Sequence, residues 1–415
     1  MKKRPGCCAA CWSSKLKTDV TRRHPYARTA AWLLAGVSLC AALTACAPTT
    51  QRARVSNEAA EIEARKQRQV ALQAYLEDQK RLMRVSYPLQ TKGADLCGED
   101  IRYTTGMALA NSSTLLGEQF KQTAETDYRL SDLVQVVYVV PGSAADKAGV
   151  RTGDTLLQIG QIPVAATGMG ADAVKEALNQ LQFQSKNGQA VRIDVQHAAS
   201  GKPGANAQRQ SLLIMPDRAC AYPIVLGNGD EVNAYADGKQ VVVQRGMIRF
   251  ANNDTELALV ISHEIAHNSM SHIQAKMTNY ALGSILDIAA QILLKVPTQG
   301  LFGSAGARAY SQEFESEADY VGLYIMARAG GDIDSAPQFW RRMATLSPAA
   351  IQSSHMSTHP ATPQRFVALE EAVKEIKAKK AAGTPLEPNL KNAPDPASDA
   401  RGPSPTTPAK PPASP

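Results

Sequence analysis

Past residue 46 the sequence holds only two cysteines, Cys97 and Cys220, and no apolar run long enough to cross a bilayer. That second scarcity argues against a body built among membrane spans. The same stretch has no net charge. Residues 1–45 carry eight Lys/Arg and one acid, so totals of 45 basic and 38 acidic residues become 37 and 37. The pI therefore gives no argument for nucleic acid as a partner. No tetratricopeptide-period repeat is present either, so partner choice falls to some other module.

The basic leader runs into "AAWLLAGVSLCAALTAC", Ala30–Cys46, which has the length of a signal-peptide core and is short for a bilayer span. Leu43-Thr44-Ala45-Cys46 resembles the lipobox of bacterial lipoproteins. That resemblance implies a signal peptide over 1–45 and a diacylated Cys46 as the mature N-terminus, the alternative being an uncleaved anchor helix. Both place the body beyond the inner membrane, tethered to lipid. Ala47 is not the aspartate of retained lipoproteins, so the same resemblance implies the periplasmic face of the outer membrane. Arg22-Arg23 leaves the export route open. In that oxidising compartment Cys97 and Cys220 suggest a disulfide, with two separate buried thiols as the alternative.

From Gln51 to about Leu89 the apolar positions Val70, Leu72, Tyr75 and Leu76 predict a long amphipathic helix within an N-terminal segment 46–100. Residues 101–216 change to short strand-like runs between Gly-rich turns. In "VPGSAADKAGVRTGDTLLQIGQIPV", Val140–Val164, Ala144–Ala148 predict a short helix closed by Gly149, and Gly153-Asp154 a turn into a strand Thr155–Ile159. With a later helix over Ala171–Leu181, this order resembles a PDZ domain, which binds extended peptides by strand addition. "YTTGMAL", Tyr103–Leu109, is a candidate carboxylate-binding loop; a spacer without ligand is the alternative. If Cys97 and Cys220 pair, the unit is an insertion stapled at its base.

Residues 217–380 carry the chemistry. "NAYADGKQVVVQRGMIRF", Asn233–Phe250, predicts a hairpin about Asp237-Gly238, and Asn253 or Asp254 is placed to cap the helix that follows. In that helix "HEIAH" sets His263 and His267 four residues apart on one face, so both imidazoles reach one metal ion. Glu264, about 100° away, points at a water instead. His272 falls on a different face, as an exposed or outer histidine. A third ligand is expected downstream, where Glu315 and Asp319 lie four apart, with Glu313 and Glu317 as competitors and a surface acidic cluster as the alternative. The Gly-punctuated apolar stretch Tyr280–Gly306 reads as a core helix hairpin or as a mobile or membrane-touching element. Residues 381–415, with ten of the 24 prolines, read as a disordered tail.

HEIAH followed by the ExxxD of "ESEAD" resembles the gluzincin metallopeptidases of the HtpX, BepA-like and CAAX prenyl endopeptidase group. The likeness extends over Asn233–Val373 and includes "NAYADG", "GMIRF" and "STHPATPQR". It implies an α+β fold, with a mainly helical catalytic domain, a small edge sheet and an inserted PDZ-like β domain. It implies one Zn(2+) per chain on His263, His267 and Glu315, with Glu264 as general base and Asp319 orienting a ligand. It further implies His359 near the zinc, as a resting-state cap or a group holding the tetrahedral intermediate, and Arg365 positioning that segment. The expected activity is zinc-dependent cleavage of misfolded or stalled envelope proteins under autoinhibition. The alternatives are a chaperone-like or PDZ binding protein with a closed metal site, and a peptidoglycan hydrolase.

Overall fold

The computed structural model describes residues 53–164, 170–197, 208–308, 311–346 and 362–391. The leader with Cys46, the tail beyond residue 391 and His359 lie outside the described residues. The chain divides into two compact units, Met1–Ile62 and Glu63–Pro415, and the architecture below is that of the second.

Helix α1 (Asn57–Lys92) serves two cores. Leu72 and Leu76 pack with Ala110, Leu115, Ala124 and Leu130. Leu82, Val85 and Leu89 instead enter the main core with Ile248, Leu257, Ile261 and Tyr324. Both sets fall at i, i+3 and i+4 spacing, the stripe a helix offers to what it packs on.

The chain then runs through β1 (Ile101–Thr104), β2 (Met107–Ala110), α2 (Lys121–Tyr128), β3 (Gln135–Val139), α3 (Ala144–Lys147), β4 (Thr155–Ile159), β5 (Ile162–Pro163), α4 (Ala171–Gln184), β6 (Val191–Gln196), β7 (Arg209–Ile214) and β8 (Asp217–Cys220). Six of these strands form one sheet, in the order β2-β3-β4-β6-β7 with β5 folded onto β4. The local chemistry matches the sequence reading. Ser143 Oγ accepts the Asp146 N–H to cap α3, and Gly149 and Gly153 take the left-handed φ values of 90° and 95° that side chains resist. In β6 buried Val191, Ile193 and Val195 alternate with outward residues. At the base, β1 pairs antiparallel with β8, Ile101 opposite Cys220, and Cys97 forms a disulfide with Cys220. The chain thus leaves and rejoins the peptidase-like region at one point.

That region begins with β9 (Ile224–Gly227), β10 (Ala234–Ala236) and β11 (Val241–Gln244), in the order β10-β11-β9, so β10 is an edge. Asp237 Oδ1 accepts the N–H groups of Lys239 and Gln240, and Gly238 has φ 89°, which together make the tight turn between β10 and β11. Helices α5 (Arg245–Phe250), α6 (Asp254–Ser269), α7 (His272–Ala289), α8 (Leu301–Arg308), α9 (Ser311–Arg328), α10 (Ala336–Ala344) and α11 (Pro363–Ala382) follow, with one π turn at Ala290–Leu294 after α7. Asn253, not Asp254, caps α6 through the Glu256 N–H, while Asp254 pairs with Arg81 and Arg84 of α1. From Leu257 to Asn268 every residue of α6 is buried, which makes it the central helix. The α9 backbone approaches it closely, because a Cβ on Gly322 would stand 3.0 Å from the His263 N. The fold is α+β, mainly helical around a small edge sheet, with an inserted β domain.

Candidate metal centre

The one-turn spacing on α6 brings the two imidazoles together, and α9 supplies the third donor. His263 Nε2 and His267 Nε2 are 3.1 Å apart. Each lies 3.4 Å from one carboxylate oxygen of Glu315. Donors of a tetrahedral zinc ion, with bonds of about 2.0–2.1 Å, lie about 3.3 Å from one another. The residues present therefore fit such an ion in donor type and in spacing. They are the only such cluster of three or more His, Cys, Asp or Glu found among the described residues.

The outer nitrogens of both histidines are held. His263 Nδ1 lies 3.0 Å from Asp319 Oδ1. Arg365 grips the same carboxylate as a fork, Nε to Oδ2 at 2.8 Å and Nη2 to Oδ1 at 2.9 Å, and its Nη1 is 3.4 Å from Glu315. On the other side His267 Nδ1 meets His272 Nδ1 at 2.9 Å, and His272 Nε2 meets Glu317 at 3.0 Å. Since the Glu317 carboxylate only accepts, His272 donates from Nε2 and accepts at Nδ1. His267 then donates from Nδ1, which leaves its Nε2 lone pair facing the centre.

The electrostatics favour a cation. Burial pulls the His263 imidazole down, but Asp319 and Glu315 outweigh it and hold its pKa up to about 9. Burial would raise Asp319, yet the Arg365 and His263 charges keep it below the usual carboxylate range. For Arg365 burial is likewise outweighed, by Asp319, Glu315 and Glu264. Burial does prevail at His272, whose pKa falls below the ordinary value.

His263, Glu264, His267, Glu315, Asp319 and Arg365 are therefore brought to one place, all buried. Three contributors were not singled out in the sequence. Trp340 lies with its ring centroid 5.0 Å from that of His263. Lys276 Nζ comes within 3.8 Å of Glu315. Asn268 clamps the edge hairpin onto α6, its Oδ1 accepting the Gly238 N–H and its Nδ2 donating to Gln240 O. The only signal for Asn268 was a buried-type position next to His267 on the same helix. Of the two places expected for His272, exposed or outer, it takes the outer one, buried against His267, and reaches it because α6 stops at Ser269. Ser271, at φ 55°, then redirects the chain into α7, so helical spacing no longer applies. Arg365, expected to position the His359 segment, holds Asp319. A cleft of about 1020 Å³ lies between α9 and α11 and is bordered by Asp319, but not by the three converging donors.

Sequence comparison accords with this geometry. The profile of peptidase family M48 matches residues 211–373, and that of the PDZ domain matches 135–197. The chain carries an M48 metallopeptidase domain and a PDZ domain. An M48 domain implies a bound metal. The Beta-barrel assembly-enhancing protease of Yersinia pestis is 30% identical over 165 residues, 35% of this chain and 33% of that protein. The Putative beta-barrel assembly-enhancing protease of Vibrio cholerae is 31% identical over 159 residues, with the same coverages of 35% and 33%. Mitochondrial metalloendopeptidase OMA1 of Arabidopsis thaliana is 29% identical over 157 residues, 37% of this chain and 32% of that one. This chain thus spans about a third of the length of the curated relatives it matches. Among the described residues no helix is long and apolar enough to cross a membrane.

Proposed function

We propose that the protein is a zinc endopeptidase of the bacterial envelope, cleaving misfolded or stalled envelope proteins, with one zinc ion held by His263, His267 and Glu315. The observation that carries this is the triangle of donors at zinc spacing with Glu264 beside it on α6. A purely structural site has no use for that buried carboxylate. The names of the bacterial relatives, proteases that enhance β-barrel assembly, support the substrate class and the compartment. So does the leader, whose Leu43–Cys46 resemblance to a lipobox is the basis for reading Cys46 as lipidated and facing the periplasm from the outer membrane.

A zinc ion bound there supplies Lewis-acid polarisation of a carbonyl and a lower pKa for water. Glu264 takes the proton of the attacking water and hands it to the leaving amine. Asp319, fixed by Arg365, holds the tautomer and tilt of His263. Edge strand β10 accepts an extended peptide by strand addition, and Asn268 keeps that strand registered on the catalytic helix. The PDZ domain, within 101–216, selects protein or peptide partners, and the peptidase domain occupies 217–380. By resemblance His359 is assigned to the metal centre, as a resting-state cap or as a group holding the tetrahedral intermediate. The near-complete burial of the donor set supports a resting state that substrate must open.

The test is zinc content together with cleavage of an unfolded outer-membrane protein. Glu264→Gln should keep its zinc and lose about 10²- to 10⁴-fold in rate. Zinc bound by the wild type with no cleavage of any unfolded envelope substrate would replace this reading with a chaperone-like protein holding a closed metal site.

A further inference from the structure

Between His267 and Glu315 the chain makes a hairpin, α7, the π turn and α8, whose packing is inverted relative to a soluble helix pair. Its inner face is built from small residues. A Cβ on Gly283 would stand 2.0 Å from Phe302 O, one on Gly306 2.2 Å from Asn279 O, and one on Gly303 2.6 Å from Ser284 Oγ. Asp287 also turns inward, accepting the N–H groups of Phe302 at 3.1 Å and Gly303 at 2.8 Å. Close backbone contact and buried hydrogen bonds hold two helices together without needing water outside them.

The large apolar side chains point the other way. Met277, Tyr280, Leu282, Ile285, Leu286 and Ile288 are each more than half exposed. At about 100° per residue they cover an arc of roughly 240°, more than twice the stripe an amphipathic helix buries against one neighbour. At the tip Ile292, Leu293 and Val296 are 68%, 78% and 51% exposed. Large apolar side chains exposed together on one element mark a surface that meets a partner or a membrane. Its charge is one-sided too. From His272 to Gln312 the only acid is Asp287, turned inward, while Lys276, Lys295 and Arg308 are cations and Lys295 stands exposed at the tip.

A partner helix covers one stripe, whereas the headgroup–acyl boundary takes up a wide apolar arc. The wide apolar arc, the small-residue interior and the missing acids therefore share one explanation. We propose that the α7–α8 hairpin inserts into the headgroup–acyl boundary of an anionic bilayer. This contact is separate from any lipid on Cys46 and independent of the peptidase reading. No described helix is both long and apolar enough to span, and the hairpin is placed in the interface plane. Because His272 begins α7 and touches His267, the contact sets the metal centre against the membrane surface.

The experiment uses the full chain with Cys46→Ser, so that acylation plays no part, and a tryptophan introduced as Leu293→Trp. Phosphatidylglycerol vesicles with brominated acyl chains should quench the added fluorescence beyond that of the parent. They should not do so for Leu213→Trp, a site 61% exposed on the PDZ sheet. Adding Ile285→Gln and Ile288→Gln should raise the lipid needed for half-maximal quenching at least about tenfold, with zinc content and melting temperature unchanged. Equal quenching at positions 293 and 213, or none at 293, would overturn the proposal. So would concentration-dependent self-association that the glutamine substitutions abolish while quenching stays absent, because the face would then join two copies of the chain.

Discussion

Two neighbouring helix pairs in this molecule, α6 with α9 and α7 with α8, are built inside out from each other. Between α6 and α9 lie two histidines, two carboxylates and an arginine, all buried and each held by a partner. Between α7 and α8 lie glycines and one inward aspartate, with isoleucine and leucine on the outside. Both pairs are built from helices rich in apolar residues. Hydrophobic content thus does not distinguish a helix that hides from water from one that leaves it for lipid; what faces the partner helix does.

The comparison can be broken at several points, with effects of decreasing size. Stripping the metal with a chelator should abolish proteolysis, with activity restored by zinc titration; proteolysis unaffected by chelation would remove the α6–α9 pair from the chemistry. Arg365→Met leaves the Asp319 carboxylate buried without its fork. It should cost about 3–5 kcal/mol in urea unfolding and about 10- to 100-fold in zinc affinity. In the hairpin, Gly283→Val should force the helices apart at a cost of about 1–3 kcal/mol. By contrast Ile285→Gln should stay within about 0.5 kcal/mol despite removing a large apolar side chain. Similar losses for those two variants would mean that the outer face is packed in solution and the contrast false.

The smallest effect lies in the PDZ domain. His197 Nδ1 meets Asp154 at 2.6 Å and its Nε2 meets Gln210 Oε1 at 2.8 Å, two acceptors that ask for the doubly protonated ring. The Asp154 bond, then the Gln210 bond, raise its pKa above the ordinary value against an opposing burial effect. A raised folded-state pKa means the stabilisation is fully present below about pH 6.5 and fades as pH rises through the folded value. The melting temperature of this domain should therefore fall between pH 6 and pH 8 in the wild type, and His197→Gln should flatten the profile.

Much of this was legible in the sequence because it is local. Asn253 at a helix start, Asp237-Gly238 between alternating runs, and two histidines one turn apart are each decided by a few neighbouring residues. What escaped depends on chain reversals and on distant packing. Which of its two expected places His272 takes is decided only where the backbone turns left-handed at Ser271. Arg365 finds Asp319 across 46 residues. The hairpin's apolar residues were visible, but the glycines that put them outside are recognised only once Gly283 is seen against the Phe302 backbone.

The Cys97–Cys220 bond has a consequence for how the two domains share mechanical fate. It joins positions 123 residues apart in sequence, a closure worth about 4–5 kcal/mol for a loop over 100 residues long in the chain-entropy account. The Cα atoms at the neck are 5.6 Å apart. If the six-stranded sheet were pulled open by a bound ligand, it would slacken into a tethered loop. The interrupted peptidase region would still find its two ends clasped, so the insertion is free to melt without unthreading the catalytic fold.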